Sequence, residues 1–167
     1  MQAISETGRL VHEDHDRTAA ILNRLETHLE QAETRGIPSL DDAEVRRLVA
    51  DLNTELDTEL STHFDFEEQA LFPLIADSGG HELVQHLLNE HEAMRPVGRR
   101  LQRYCALALK EGFDEDSYGA FVHFGWDILE RLERHLQVEE TSLLLAVEAL
   151  MLNNPDLDAR IARSYRG

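Results

Sequence analysis

Cysteine is nearly missing from this 167-residue chain: Cys105 stands alone, so no internal disulfide can form and a reducing cytoplasm is the expected compartment. Positive charge is scarce too, with 16 Lys and Arg against 33 Asp and Glu and a formal charge of −17. Such a surface repels phosphate backbones and anionic lipid, which argues against nucleic acid and membranes as partners. Long hydrophobic runs are absent: a stretch such as Leu143 to Val147 is far too short to cross a bilayer. The opening residues, Met-Gln-Ala-Ile-Ser-Glu-Thr, have neither a basic nor an apolar region, so no secretory signal is expected. Val and Ile together number 14 and aromatics make up 6%, little material for a sheet, whereas 26 Leu, 20 Glu and 16 Ala favour helix. An all-α fold is expected. What the chain has in excess is histidine, nine residues, more than a core needs.

Three places punctuate the sequence: Gly36-Ile37-Pro38-Ser39, Asp77-Ser78-Gly79-Gly80 and Gly112-Phe113-Asp114. Each joins a helix stop to an N-cap for the next helix, Ser39, Ser78 or Asp114. Between them lie four periodic segments of roughly 30 residues, about 45 Å each. Short connections make neighbouring helices antiparallel, which predicts an up-down-up-down four-helix bundle over residues 1–152. Asn153-Asn154-Pro155 then opens a tail, residues 153–167, with a short helix to about Ser164 and a basic end at Arg160, Arg163 and Arg166.

Heptad steps set the inward lines. The second segment reads Leu56, His63, Ala70 beside Leu60, Glu67, Leu74, and the fourth reads Ile128, His135, Ser142 beside Leu132, Glu139, Ala146. The third has Val84, His91, Gly98, Cys105 and the first His15, Leu22, Leu29. Every inward line is therefore interrupted by an ionisable residue, and buried glutamates are not tolerated without compensation. In antiparallel neighbours, facing residues are equidistant from the turn between them. His15 and His63 have their midpoint at Ser39; the centre of His63 and Glu67 pairs with His91 about Ser78; His91 pairs with the centre of His135 and Glu139 about Asp114. These midpoints coincide with the three turns, so all six side chains meet in one layer.

Four imidazoles and two carboxylates in a dry core form a metal site, because cations offset carboxylate desolvation and take the imidazole lone pairs. The mixed nitrogen and oxygen set disfavours structural zinc, Ca²⁺ and Mg²⁺ and suits a dinuclear iron or manganese centre. In His63-x-x-x-Glu67 and His135-x-x-x-Glu139 both side chains share one helix face, the histidine placed to bind terminally and the glutamate to reach across. The halves repeat: Asp14-His15-Asp16 matches Glu90-His91-Glu92, and Glu67-Glu68 matches Glu139-Glu140, which implies a pseudo-twofold site.

The order His, His-x-x-x-Glu, His, His-x-x-x-Glu, with His63-Phe-Asp-Phe-Glu-Glu-Gln-Ala-Leu-Phe-Pro73, resembles the hemerythrin HHE cation-binding domain over about residues 8 to 150. The resemblance implies a non-haem, carboxylate- and oxo-bridged di-iron centre with His15 and His63 on one iron, His91 and His135 on the other, and Glu67 and Glu139 bridging. Two iron ions per chain are expected, with manganese or zinc ranking behind. There are two departures. Arg95 stands where oxygen carriers of the family have a second histidine on the third helix, and Glu139 stands where they have an Asp one residue further on. The first removes a ligand and argues against simple oxygen carriage.

Other motifs fail. No Glu-x-x-His of ferritin-like sites occurs, and His91-Glu92 does not continue to His-Glu-x-x-His because Arg95 takes the fifth place. His12 is read as a solvated or pore-mouth histidine, His86 and His123 as structural, and His28 and His81 as surface. Cys105 is read as a core thiol, and Glu59, four residues before His63 on the inward side, as placed to hydrogen-bond a ligand or to offer another carboxylate. Pro73 and Pro96 are expected to kink the bundle, and Ala70, Gly98 and Ser142 to leave room beside the site for a small ligand. The functional expectation is peroxidase- or oxidoreductase-like chemistry on O₂, peroxide or nitric oxide. Its rivals are reversible O₂ carriage, sensing, iron storage, or a structural metal. The partners expected are a small diatomic or peroxide ligand and a redox partner of unknown identity, for a monomer or small homo-oligomer.

Overall fold

The computed structural model describes residues 5–167; residues 1–4, the start of the expected bundle segment, lie outside the described residues. The fold is all-α. Helix α1, Glu6–Glu30, is capped by Ser5, whose hydroxyl accepts from the Gly8 N–H. After a single turn at Ala32–Arg35 come α2 (residues 43–77), α3 (His81–Glu111), α4 (residues 115–151) and α5 (Pro155–Arg166). Each of the four long helices packs on the next, and α4 closes against α1. No described helix is long and apolar enough to cross a membrane.

The turns fall where Gly and Pro place them, with Gly36, Gly79 and Gly112 at positive φ, the conformation that glycine adopts without strain. Two of the three expected caps differ. Asp42, not Ser39, caps α2 by accepting from the Glu44 N–H at 2.9 Å, because burial of Leu40 holds the loop three residues longer. Ser78 instead donates to the Leu74 carbonyl and finishes α2, leaving Gly80 at the start of α3. Asp114 caps α4 in a reciprocal capping box with Ser117.

Helices α2 and α4 are interrupted by π-helical turns at Thr58–His63, Glu67–Leu71 and Glu139–Leu143. A π turn bonds i to i+5 and inserts one residue, so every side chain beyond it moves one position around the helix. Pro73, which has no N–H to give Gln69, stands two residues after the end of the second of them. The inward lines are redrawn accordingly. Leu71, Ile75, Leu143 and Val147 are buried, while Ala70, Leu74 and Ala146 are only half-buried and Ser142 is exposed. In α1 and α3, without π turns, the expected lines hold: His15, Leu22, Leu29 and Val84, His91, Gly98, Cys105 are all buried. Pro96 sits on the exposed side of α3, which stays helical through it.

The apolar core comes in two parts. One, with Leu25, Leu52, Leu60, Phe64, Leu101, Phe121 and Leu132, lies toward the α1–α2 turn. The other, with Val11, Leu71, Phe72, Leu87, Leu143 and Val147, lies toward the opposite end. Helix α5 covers that end: Asp158 accepts from the Glu6 and Thr7 N–H groups at 2.9 and 2.8 Å, and Tyr165 meets the Phe66 ring edge-on. Such a carboxylate at a helix start satisfies orphan donors and the dipole together.

Candidate metal centre

Between the two apolar parts lies the histidine and glutamate layer. His15 comes from α1, His63 and Glu67 from α2, His91 from α3, and His135 and Glu139 from α4; all six are at most 3% exposed. Their ligand atoms form two overlapping groups, His15, His63, Glu67, Glu139 and Glu67, His91, His135, Glu139, each gathered within 4.8 Å. Glu67 turns Oε1 to His63 Nε2 at 3.3 Å and Oε2 to His91 Nε2 at 3.4 Å. Glu139 turns Oε2 to His15 Nε2 at 3.0 Å and Oε1 to His135 Nε2 at 2.9 Å. Each carboxylate thus offers one oxygen to each histidine pair. The π turns at Glu67–Leu71 and Glu139–Leu143 begin at these two glutamates.

Buried polar atoms are normally hydrogen-bonded, and exceptions need a reason. Among the described residues the buried side-chain N and O atoms without such a bond are His15 Nε2, His63 Nε2, both oxygens of Glu67, both of Glu139, and Glu59 Oε1. Six of the seven point at one layer and all six are good donors to a borderline or hard metal ion. The residues present therefore fit a pair of cations.

The opposite nitrogen of every histidine is held by a second carboxylate. His63 Nδ1 donates to Asp14 at 3.1 Å, His91 Nδ1 to Glu68 at 2.8 Å, His135 Nδ1 to Glu90 at 2.7 Å and His15 Nδ1 to Glu140 at 2.6 Å. The ring is closed: α1 holds the histidine of α2, α2 that of α3, α3 that of α4, and α4 that of α1. Each acceptor places an imidazole proton on Nδ1 and turns Nε2 inward, the arrangement that orients and strengthens histidine ligands. The outer side of the ring divides into two halves. Asp14 pairs with Arg17 and Glu68 with Arg95, whereas Glu140 pairs with His12 and Glu90 with His86. Replacing Asp14 with Asn or Glu90 with Gln is expected to weaken metal binding by about 10- to 100-fold with the fold retained, measured by competition with a chelator.

A profile of the hemerythrin HHE cation binding domain matches residues 8–147, most of the chain. The chain belongs to that family. No curated protein and no solved structure matches it significantly. In this hemerythrin domain Arg95 points away from the centre. Its guanidinium donates to Glu68 at 2.9 Å, Asp65 at 3.1 Å and the Leu60 carbonyl at 3.2 Å, a carbonyl of the first π turn, and lies over the Phe64 ring. Phe64 in turn stacks on His91 with ring centres 3.7 Å apart, so Arg95 supports His91 from outside without offering a donor atom to the layer.

The electrostatics follow from mutual pairing. Burial pulls the His15 imidazole down, but the Glu139 and Glu140 carboxylates beside it outweigh burial and hold it at about 9. Burial opposes the charged form of His135 too, and Glu139 and Glu90 lift it to about 10. Glu139 is held well below the usual carboxylate range, its desolvation outweighed by His135, His15 and His91. Without metal, protons do the neutralising that cations would do.

Other histidines depart from expectation. His86 and His123 are exposed, not structural, because both fall on outward faces of α3 and α4. His28 is half-buried and meets the Tyr118 hydroxyl at 3.0 Å, while His81 is exposed as expected. His12 sits at the rim of the ring, against Glu140. Cys105 is fully buried, and burial raises its thiol to about 12, as befits a core residue. The expected line of small residues is not an opening. Ser142 faces solvent, and a Cβ on Gly98 would collide with Leu60, so that glycine permits close packing of α2 on α3. Ser142→Leu is accordingly expected to leave ligand access unchanged, as stopped-flow rates at equal metal content would check.

Proposed function

We propose that this domain holds two irons per chain, one on His15 and His63 and one on His91 and His135, bridged by Glu67 and Glu139, and reacts with peroxide, nitric oxide or O₂ rather than carrying O₂. The observation that carries the reading is the pair of carboxylates that each turn one oxygen to each histidine pair. Bound iron supplies one-electron redox chemistry and open coordination positions for a small molecule. The protein's own part is to hold four imidazoles in one tautomer, through Asp14, Glu68, Glu90 and Glu140, and to exclude water with Phe64, Phe72 and the leucines above and below. Arg95, turned outward, leaves two histidines for each metal, and coordination equally open on both favours reaction over storage of a bound gas. A separate reductant has to restore the electrons that such chemistry consumes.

The test is metal analysis and visible absorption of protein purified without added metal. Two irons per chain are expected, with absorption that dithionite bleaches and air restores. A stable oxygenated form that survives repeated cycles without turnover would replace reaction by carriage. A protein that keeps its metal but binds neither azide nor nitric oxide would make the metal a structural staple.

A further inference from the structure

The seventh unpaired buried atom, Glu59 Oε1, belongs to neither metal-ligand group. Glu59 is 1% exposed, one helical turn before His63, and its electrostatic neighbours are His63, His15 and Glu139. Its other oxygen lies 2.8 Å from the hydroxyl of Thr18, which is also 1% exposed and one turn after His15. The same hydroxyl lies 3.1 Å from Oε1 of Glu55, a half-buried residue that reaches solvent. One hydroxyl has one proton and cannot donate to two carboxylates. The chain of three is satisfied only when one carboxyl carries its own proton, and that is the buried one, whose charge costs more. Burial raises Glu59 in the same sense.

The pseudo-twofold symmetry has no copy of this arrangement. Four residues before His135 stands Arg131, exposed and paired with Asp127; three after His91 stands Met94, buried and apolar. The π turn Thr58–His63, which contains Glu59, likewise has no counterpart before His135, where α4 is regular from Glu115 to Val138. An inserted residue that turns a carboxyl inward on one side only, at the expense of helix regularity, marks that side for chemistry rather than packing.

We propose that Glu55, Thr18 and Glu59 form a proton path from solvent to the metal centre, with Glu59 the internal acid on the side of His15 and His63. The proposal rests on the di-iron reading above. Conversion of one hydrogen peroxide to two waters breaks the O–O bond and takes up two electrons and two protons. The electrons come from two ferrous ions that become ferric. The protons come through Glu59, which is reprotonated from Glu55 across the Thr18 hydroxyl as that hydroxyl passes one proton on and accepts another.

Two measurements test it. Infrared spectra of the metal-free and zinc-loaded proteins at neutral pH should show the carbonyl stretch of a buried carboxylic acid, shifted in D₂O and missing in Glu59→Gln. Stopped-flow oxidation of the reduced iron protein by hydrogen peroxide should slow by about 10- to 100-fold in Glu59→Gln and in Thr18→Val, with two irons retained and with partial recovery in Glu59→Asp. Absence of the carbonyl band, or unchanged rates at full metal content, overturns the path. Loss of iron from Glu59→Gln overturns it also, by making Glu59 a ligand. If the parent protein takes up no iron the di-iron reading falls, and the infrared band of the metal-free protein still decides whether Glu59 is an acid.

Discussion

The double variant Glu67→Ala, Glu139→Ala is expected to bind no iron and to melt well below the metal-loaded parent, and each single variant to lose at least one metal. Both carboxylates are fully buried, and between them they face all four histidines. Their removal leaves each cation with two imidazoles and no charge compensation, which cannot offset desolvation of the ion. Because metal binds the folded chain alone, binding energy is folding energy; a metal present at a thousand times its dissociation constant contributes about 4 kcal/mol. The loss divides into parts that separate experimentally. Parent and variant compared without metal report the cavities and lost ion pairs, and the comparison with metal adds the linkage. Metal analysis with calorimetry makes the measurement. A double variant with full metal and an unchanged melting temperature would remove both glutamates from the site.

Much of this arrangement is legible in the sequence, for reasons that also mark where legibility ends. Turn positions are written locally, since Gly36, Gly79 and Gly112 all adopt positive φ. Once the turns are known, antiparallel geometry fixes which residues share a level, and the six side chains do meet. Heptad phase describes α1 and α3 correctly. It fails beyond Glu67 and Glu139 because a π turn is an insertion with no length signature, and Ser142 therefore ends in solvent. Pro73 is the available sign. Taken alone it predicts a kink, and the π turn at Glu139–Leu143, which no proline follows, has no such sign. The closed ring of carboxylates is visible as Asp14 before His15, Glu68 after Glu67, Glu90 before His91 and Glu140 after Glu139. What the sequence does not convey is that each serves the histidine of the neighbouring helix, a matter of how the helices are rotated. Glu59 is legible as an inward residue one turn before His63, whereas the π turn Thr58–His63 that contains it is not.

Metal-free protein is expected to lose stability as the pH rises from about 7 towards 10, while its affinity for metal rises over the same range. His15 and His135 are held at about 9 and about 10 in the folded chain against 6.5 when unfolded. A folded value above the unfolded one means that the folded state binds the proton more tightly. The stabilisation is therefore complete below pH 6.5 and is lost as the pH passes through about 9 and about 10. A tenfold difference in proton affinity between the two states corresponds to about 1.4 kcal/mol, so the loss across the window is on the order of several kcal/mol. Glu67 and Glu139, held below the carboxylate range by the histidines around them, work in the other direction: their contribution is present above pH 4.5 and disappears in acid. Metal held by these histidines would replace these protons, because an Nε2 lone pair cannot serve both. The Nε2 proton of His15 or His135 would have to leave before a cation could bind there, while the Nδ1 proton stays in its hydrogen bond to Glu140 or Glu90, so binding is expected to release protons and to tighten with pH until those nitrogens are free. Urea denaturation of metal-free and metal-loaded protein at about pH 6, 8 and 10 should give a falling series for the first and a nearly level one for the second. Chelator competition under the same conditions should show the affinity rising. Parallel pH profiles for the two forms would mean that metal and protons do not compete for these histidines, and that the cations lie elsewhere in the chain.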